Sequence, residues 1–300
     1  MGVARRAWAV LADAGTGWFN DGAMSMAASI AFYTTFSLAP IMILVTAVAG
    51  LVLGQEAAHG ALADQIRGLV GGEAAEAVQA VVASARDKET GTAAGIIGIV
   101  TILIGATTVF AELQASLDRV WKAEPPPEST LTWLVKARLK GLALVGAIGF
   151  LLIVSLTVSA ALAAITDWLG SFLPDLAALL WLTNALTALA VFTLLFALVF
   201  RVLPDTRIPW RDLWFGAGVT ALLFILGKVL IGIYLGTAGV ASAYGAAGSF
   251  VLVLMWVYYS ASIFLLGAEI TRAYSEREGS RAASRRRSRA PHDGVNAVRA

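Results

Sequence analysis

Six apolar runs, each near the length a helix needs to cross a bilayer, organise this chain. A helix rises 1.5 Å per residue, so about 20 residues cover the roughly 30 Å of hydrocarbon. The runs fall at about 27–53, 92–110, 139–165, 176–200, 213–235 and 245–270. In lipid every backbone N–H and C=O needs an internal partner, and only helices and closed barrels supply one. Barrel strands would read as alternating segments of about ten residues, and the sequence has no such series. The fold class is therefore all-α, a polytopic membrane protein with six transmembrane helices. Composition agrees: 58% of the 300 residues are hydrophobic and 14% are charged, against about 25% charged in an average soluble domain. The same figures exclude a disordered, collagenous or nucleic-acid-binding chain.

Counting Lys and Arg loop by loop sets the orientation. Segment 1–26 carries Arg5 and Arg6, the loop after the second run has five basic residues, the loop after the fourth has three, and the tail has eight. One side thus holds 18 of the 22 basic residues. The loop 54–91 has three beside six acidic residues, and the loops around Asp167 and after Thr237 have none. Positive charge marks the cytoplasmic side, so both termini are expected in the cytoplasm. The net charge of +2 conceals this asymmetry.

The chain divides into a cytoplasmic or interfacial segment 1–26, a membrane domain 27–270 and a basic tail 271–300. The N-terminal segment does not read as a secretory signal, because no compact apolar core precedes residue 27. A twin-arginine export signal is a weaker reading of Arg5-Arg6. Trp8, Leu11 and Trp18 fit an interfacial helix with these side chains at the headgroups. In loop 54–91, Leu62, Ile66 and Leu69, then Val78, Val81 and Val82, mark either two short amphipathic helices over the outer face or a plain tether. Pro125, Pro126 and Pro127 stop any helix leaving the second run. The tail keeps no apolar period and is expected to be disordered. Its Arg285, Arg286, Arg287 and Arg289 suit anionic headgroups at about 1 kcal/mol each. A purely topology-fixing role is equally open.

Polar side chains inside the runs are costly and are the residues from which function is read. Ser29, Tyr33 and Ser37 recur at i, i+4, i+8 on one helix face, and Pro40 removes a backbone donor just beyond them. That pattern fits a pathway-lining helix with a kink, and equally fits interhelical hydrogen bonding. Lys228 lies about 17 residues, or roughly 25 Å, beyond Arg211 along one helix. It is a candidate for holding an anionic group, a snorkelling anchor, or half of a structural pair. Asn184, flanked by Thr183 and Thr187, and Tyr234 join the pathway candidates, with helix–helix contact as the plainer role for Asn184. Glu112 and Glu269 near the cytoplasmic ends of two spans, with Asp21, are gating or proton-coupling candidates. Glu269 shares a face with Tyr258 and Ser262, and a pair with Arg272 explains it without function. Gly91, Gly95, Gly98, Gly141, Gly149, Gly232 and Gly236 fall near small-residue spacings that allow close helix approach.

There is no cysteine, and the two histidines, His59 and His292, lie in a loop and the tail. No metal site and no cofactor are expected. No phosphate-binding loop, nucleophile elbow or zinc-protease motif occurs.

The motifs "ASIAFYTTFSLAP" ending at Pro40, "FAELQASLDRVW" ending at Trp121, and "YGAAGSFVLVLMWVYYSASIFLLGAEI" from Tyr244 resemble the YihY/BrkB family of bacterial inner-membrane proteins. The resemblance covers about residues 20–275, and Asp118 stands where the family pattern has an asparagine. It implies a six-helix, multi-pass protein of the bacterial cell inner membrane. Family members were once labelled ribonuclease BN, mistakenly, and some are linked to envelope-lipid transport.

Two function classes follow. One is a transporter-like protein moving a lipid or another amphipathic, anionic solute. The other is a structural, scaffolding or regulatory protein of the envelope. A membrane-bound ribonuclease would need a metal held by residues such as Glu112, Asp118 and Glu124, and the sequence favours no enzyme. Expected partners are the lipid bilayer, anionic phospholipids, envelope proteins and further copies of the chain, with no nucleic acid.

Overall fold

The structure, a computed structural model, describes residues 2–37, 67, 75–76, 108–123, 139–141, 143–144, 177–206, 208–237, 244 and 247–279. Among these residues there is helix and no strand. Among the described residues the long helices are α1 (Val3–Asn20), α2 (Ala177–Val202), α3 (Trp210–Thr237) and α4 (Gly248–Arg277). Residues 23–37 and 108–121 are also helical. The windows Ala185–Val202, Trp210–Thr237 and Gly248–Arg277 are long and apolar enough to cross a membrane. They fall on the last three runs of the sequence, but α4 continues to Arg277. Residues 271–277, expected to open a disordered tail, are therefore helical, with Thr271 and Ser275 buried against α3. The first three runs lie largely outside the described residues, as do Pro40, the tail arginines beyond Arg277 and nearly all of loop 54–91.

Local chemistry sets the helix ends. Pro204 cannot extend α2, and Arg201 in its last turn complements the helix dipole. The Arg201 Nη1 donates to the Ile208 carbonyl at 2.7 Å and its guanidinium lies 5.1 Å from the Trp210 ring centroid, so one side chain closes the α2–α3 connection. Pro209 precedes α3, and Asp212 places a negative charge in its first turn. Between α1 and 23–37, Gly22 has φ +72°, a left-handed conformation that glycine adopts without strain.

α3 and α4 run antiparallel in a close register. Ser275 Oγ donates to Asp212 Oδ2 at 2.7 Å. Four residues on, Thr271 sits over Gly216, then Thr220 over Gly267, then Tyr259 and Ile263 over Gly227. At the far end Ile231 and Leu235 join Leu252 and Val253 in one apolar cluster. The tightest approaches use Gly216, Gly227 and Gly267, whereas Gly232 faces open space. Small-residue spacing alone did not single these positions out.

The main core lies where 23–37, 108–121, α2, α3 and α4 meet. Its centre is an aromatic ladder: Phe196 has ring centroids 6.4 Å from Phe192, 6.3 Å from Phe200, 5.5 Å from Phe224 and 6.2 Å from Phe264. Lipid tails are as apolar as these rings, so in a membrane their stabilisation is dispersion from close packing. α1 covers one flank, with Val10 and Ala14 against Ile270 and Ala273.

Candidate functional site

The ion pairs of the described residues gather at one end of the bundle, where α2 and α4 finish and α3 begins. Arg272 is the centre. Its Nη1 donates to the Val120 carbonyl at 2.9 Å, and lies 3.4 Å from Asp21 Oδ2 and 3.5 Å from Glu269 Oε2. Its Nε donates to Glu276 Oε1 at 3.0 Å. Lys122 pairs with the other oxygen of Asp21. The turn after α1, the end of 108–121 and the last turns of α4 are thereby held by one guanidinium. Glu269 is 2% exposed, and its Oε1 has no hydrogen-bond partner among the described residues. Gly17 of α1 makes room for it, since a Cβ there would lie 2.6 Å from Glu269 Oε2.

A second cluster lies beside it. Gln114 Nε2 donates to Asp205 Oδ2 at 3.0 Å, and Lys140 pairs with Asp205 Oδ1. The Asp205 backbone N–H donates to Asp118 Oδ1 at 2.8 Å. Burial pushes the Asp118 carboxyl above the usual carboxylate range, and the neighbouring Asp205 charge adds to this. The Asp205 N–H, Lys140 and Gln114 pull the other way. Chemically, both clusters tie segments together. No three of the described His, Asp or Glu residues are placed to hold a metal ion.

The structure brings two of the sequence candidates, Asp21 and Glu269, to one guanidinium, and the Glu269–Arg272 pair offered by the spacing is present. Glu112 lies half-buried elsewhere on its helix. Ser37 is buried and donates to the Thr34 carbonyl at 3.1 Å, Ser29 is half-buried, and Tyr33 is exposed with its ring edge-on to Phe32. Tyr234 is exposed on α3. Asn184 lies on α2, with its side chain outside the described residues, and Arg285, Arg286, Arg287 and Arg289 lie outside them altogether. Lys228 is half-buried, its ammonium 5.9 Å from the Phe192 ring centroid on α2. It stands apart from the charged end of the bundle. Trp18 differs from expectation: it turns inward, its Nε1 donating to the Ser262 carbonyl at 3.3 Å, because α1 packs on α4 and this side chain lies against the main core.

Gln114, Asp205, Lys140 and the buried Asp212 were not singled out by sequence. Each sits within a few residues of a span end, where a polar side chain looks like ordinary loop solvation.

The model of the family described as "Virulence factor BrkB" matches residues 16–292. The chain belongs to the BrkB family. Similar proteins include a UPF0761 membrane protein of Rhodospirillum centenum, 28% identical over 86% of this chain and 55% of that protein. Another, from Pseudomonas paraeruginosa, is 27% identical over 83% of this chain and 58% of its own length. A third, from Idiomarina loihiensis, is 27% identical over 60% of this chain and 61% of its own. This BrkB-family chain thus spans little more than half the length of these relatives. No solved structure matches it. The family and its relatives' names make it a membrane protein, in keeping with three apolar helices of spanning length.

Proposed function

We propose that this BrkB-family protein is a multi-pass protein of the bacterial inner membrane, with both termini cytoplasmic, that moves a lipid or another amphipathic, anionic solute. Lys228 is the residue that meets the anionic group, and the role is non-enzymatic. The observation that carries this reading is the place of Lys228. It lies within a spanning helix, half-buried between α3 and the Phe192 ring. A lysine at the centre of a span costs about 2.5–3.5 kcal/mol on the insertion scale. In such a setting of low dielectric, its attraction for a phosphate is far stronger than in water. On the same helix the exposed Leu226, Val229 and Leu230 offer apolar surface for an acyl chain.

The test is flux of fluorescent phospholipids across vesicles reconstituted with the purified protein. Lys228→Ala is expected to abolish flux with insertion intact, and Lys228→Arg to retain part of it. Undiminished flux in Lys228→Ala removes the assignment. A wild-type protein that moves no lipid, yet crosslinks stoichiometrically to an envelope protein, favours the scaffolding role instead.

A further inference from the structure

α1 has three sides, and two of them make contacts among the described residues. Val10, Ala14 and Gly17 turn toward α4. Arg6 and Asp13 face its end, Arg6 lying 3.8 Å from Glu278 and Asp13 accepting from Arg277 Nη2 at 2.7 Å. The third side carries Trp8, Leu11 and Phe19, which are 73%, 50% and 70% exposed. At 100° per residue these three, with Ala12 and Gly15, form one continuous face.

The depth of that face is set by its neighbours. α1 packs on the last turns of α4, beside the first turns of α3 through Tyr274, which stacks on Phe215 at 4.1 Å. There the apolar run of α3 gives way to Arg211 and Asp212, and Trp210 and Trp214 are exposed. Tryptophans at the end of a span mark the boundary between hydrocarbon and headgroups. The open face of α1 therefore lies at that boundary. Its charge fits an anionic surface: Arg5 stands at the edge of the face, Arg211 is exposed on the neighbouring helix, and the acidic Asp13 is turned away and paired.

We propose that α1 lies in the headgroup layer of one leaflet, with Trp8, Leu11 and Phe19 inserted at the acyl boundary and Arg5 and Arg211 holding anionic phospholipid. This is independent of whether the protein moves lipids. An amphipathic helix binds such a layer through buried apolar area together with attraction to anionic lipid.

The chain has no cysteine, so single-cysteine variants of the full chain report one position each. Trp8→Cys, Leu11→Cys, Phe19→Cys and, on the opposite exposed side, Asn20→Cys are labelled with an environment-sensitive fluorophore. Each is reconstituted in phosphatidylcholine vesicles with and without phosphatidylglycerol. Labels at 8, 11 and 19 are expected to shift to the blue and to be quenched by headgroup-level nitroxide lipid, and the label at 20 to stay water-like. Phosphatidylglycerol is expected to increase the quenching, and Arg5→Gln with Arg211→Gln to remove the increase. Water-like emission at 8, 11 and 19 would overturn the proposal. So would shielding that follows protein-to-lipid ratio, which points to a second copy covering the face. Quenching indifferent to phosphatidylglycerol would overturn the assignment to anionic lipid.

Discussion

Thr271 of α4 rests on the bare Cα of Gly216 in α3, and Thr220 of α3 does the same to Gly267 in α4. Each hydroxyl also donates to the carbonyl of the glycine four residues earlier in its own helix, at 2.7 Å. The two helices thus carry the same Gly–Thr spacing and present it to each other in antiparallel register. The hydroxyls need no partner across the interface, so the backbones can approach as closely as the missing Cβ atoms allow.

Glycine substitutions on α3 are accordingly expected to split by position. A Cβ at Gly216 overlaps the Thr271 side chain, so Gly216→Ala destabilises, overpacking costing about 1–3 kcal/mol. Gly218 and Gly232 have nothing within 4 Å, and alanine there stabilises by about 0.5–1 kcal/mol through helix propensity. Thermal unfolding in detergent, followed by circular dichroism, measures both signs in one series.

Arg272→Met is expected to be among the most damaging single changes. It leaves the Val120 carbonyl without its donor and Asp21 and Glu269 without their shared guanidinium. Breaking a buried pair by removing one partner costs about 3–5 kcal/mol. Simultaneous neutralisation, Arg272→Met with Asp21→Asn and Glu269→Gln, should recover a large part of the loss.

Gly17 and Glu269 are coupled sterically. Gly17→Ala places a Cβ 2.6 Å from Glu269 Oε2 and 3.0 Å from its Cδ. In the wild-type background it is expected to lower the unfolding midpoint. In a Glu269→Ala background the same change should be close to neutral, and a double-mutant cycle reads the difference.

Asp118 makes stability depend on pH. Its carboxyl is held above the ordinary carboxylate range in the folded protein, chiefly by burial. The folded state therefore binds the proton more tightly than the unfolded chain, and stability from this group falls as pH rises through the folded value. Asp118→Asn keeps an oxygen to accept the Asp205 N–H and lacks that loss. The advantage of the variant in unfolding midpoint is expected to grow from acid toward neutral pH. A difference that is flat with pH contradicts the assignment.

The amino-acid sequence by itself determined that this is a helical membrane protein. Its last three runs fall on α2, α3 and α4, the last of which continues to Arg277, past the expected end at 270. Apolar length and the need to satisfy the backbone in lipid act along the chain, so they are legible without a partner. It also placed Glu269 beside Arg272, because helical spacing brings i and i+3 together. What only the tertiary structure decided are relations between distant segments. Asp21 meets Arg272 across 251 residues, and Asp205 meets Gln114 across 91. Nothing in the local pattern distinguishes Gly216 from Gly232, since both sit in the same apolar helix. Only the position of α4 makes one a close contact and leaves the other open. Trp18 and Phe19 are neighbours of similar character, and the packing of α1 on α4 turns the first inward and leaves the second exposed.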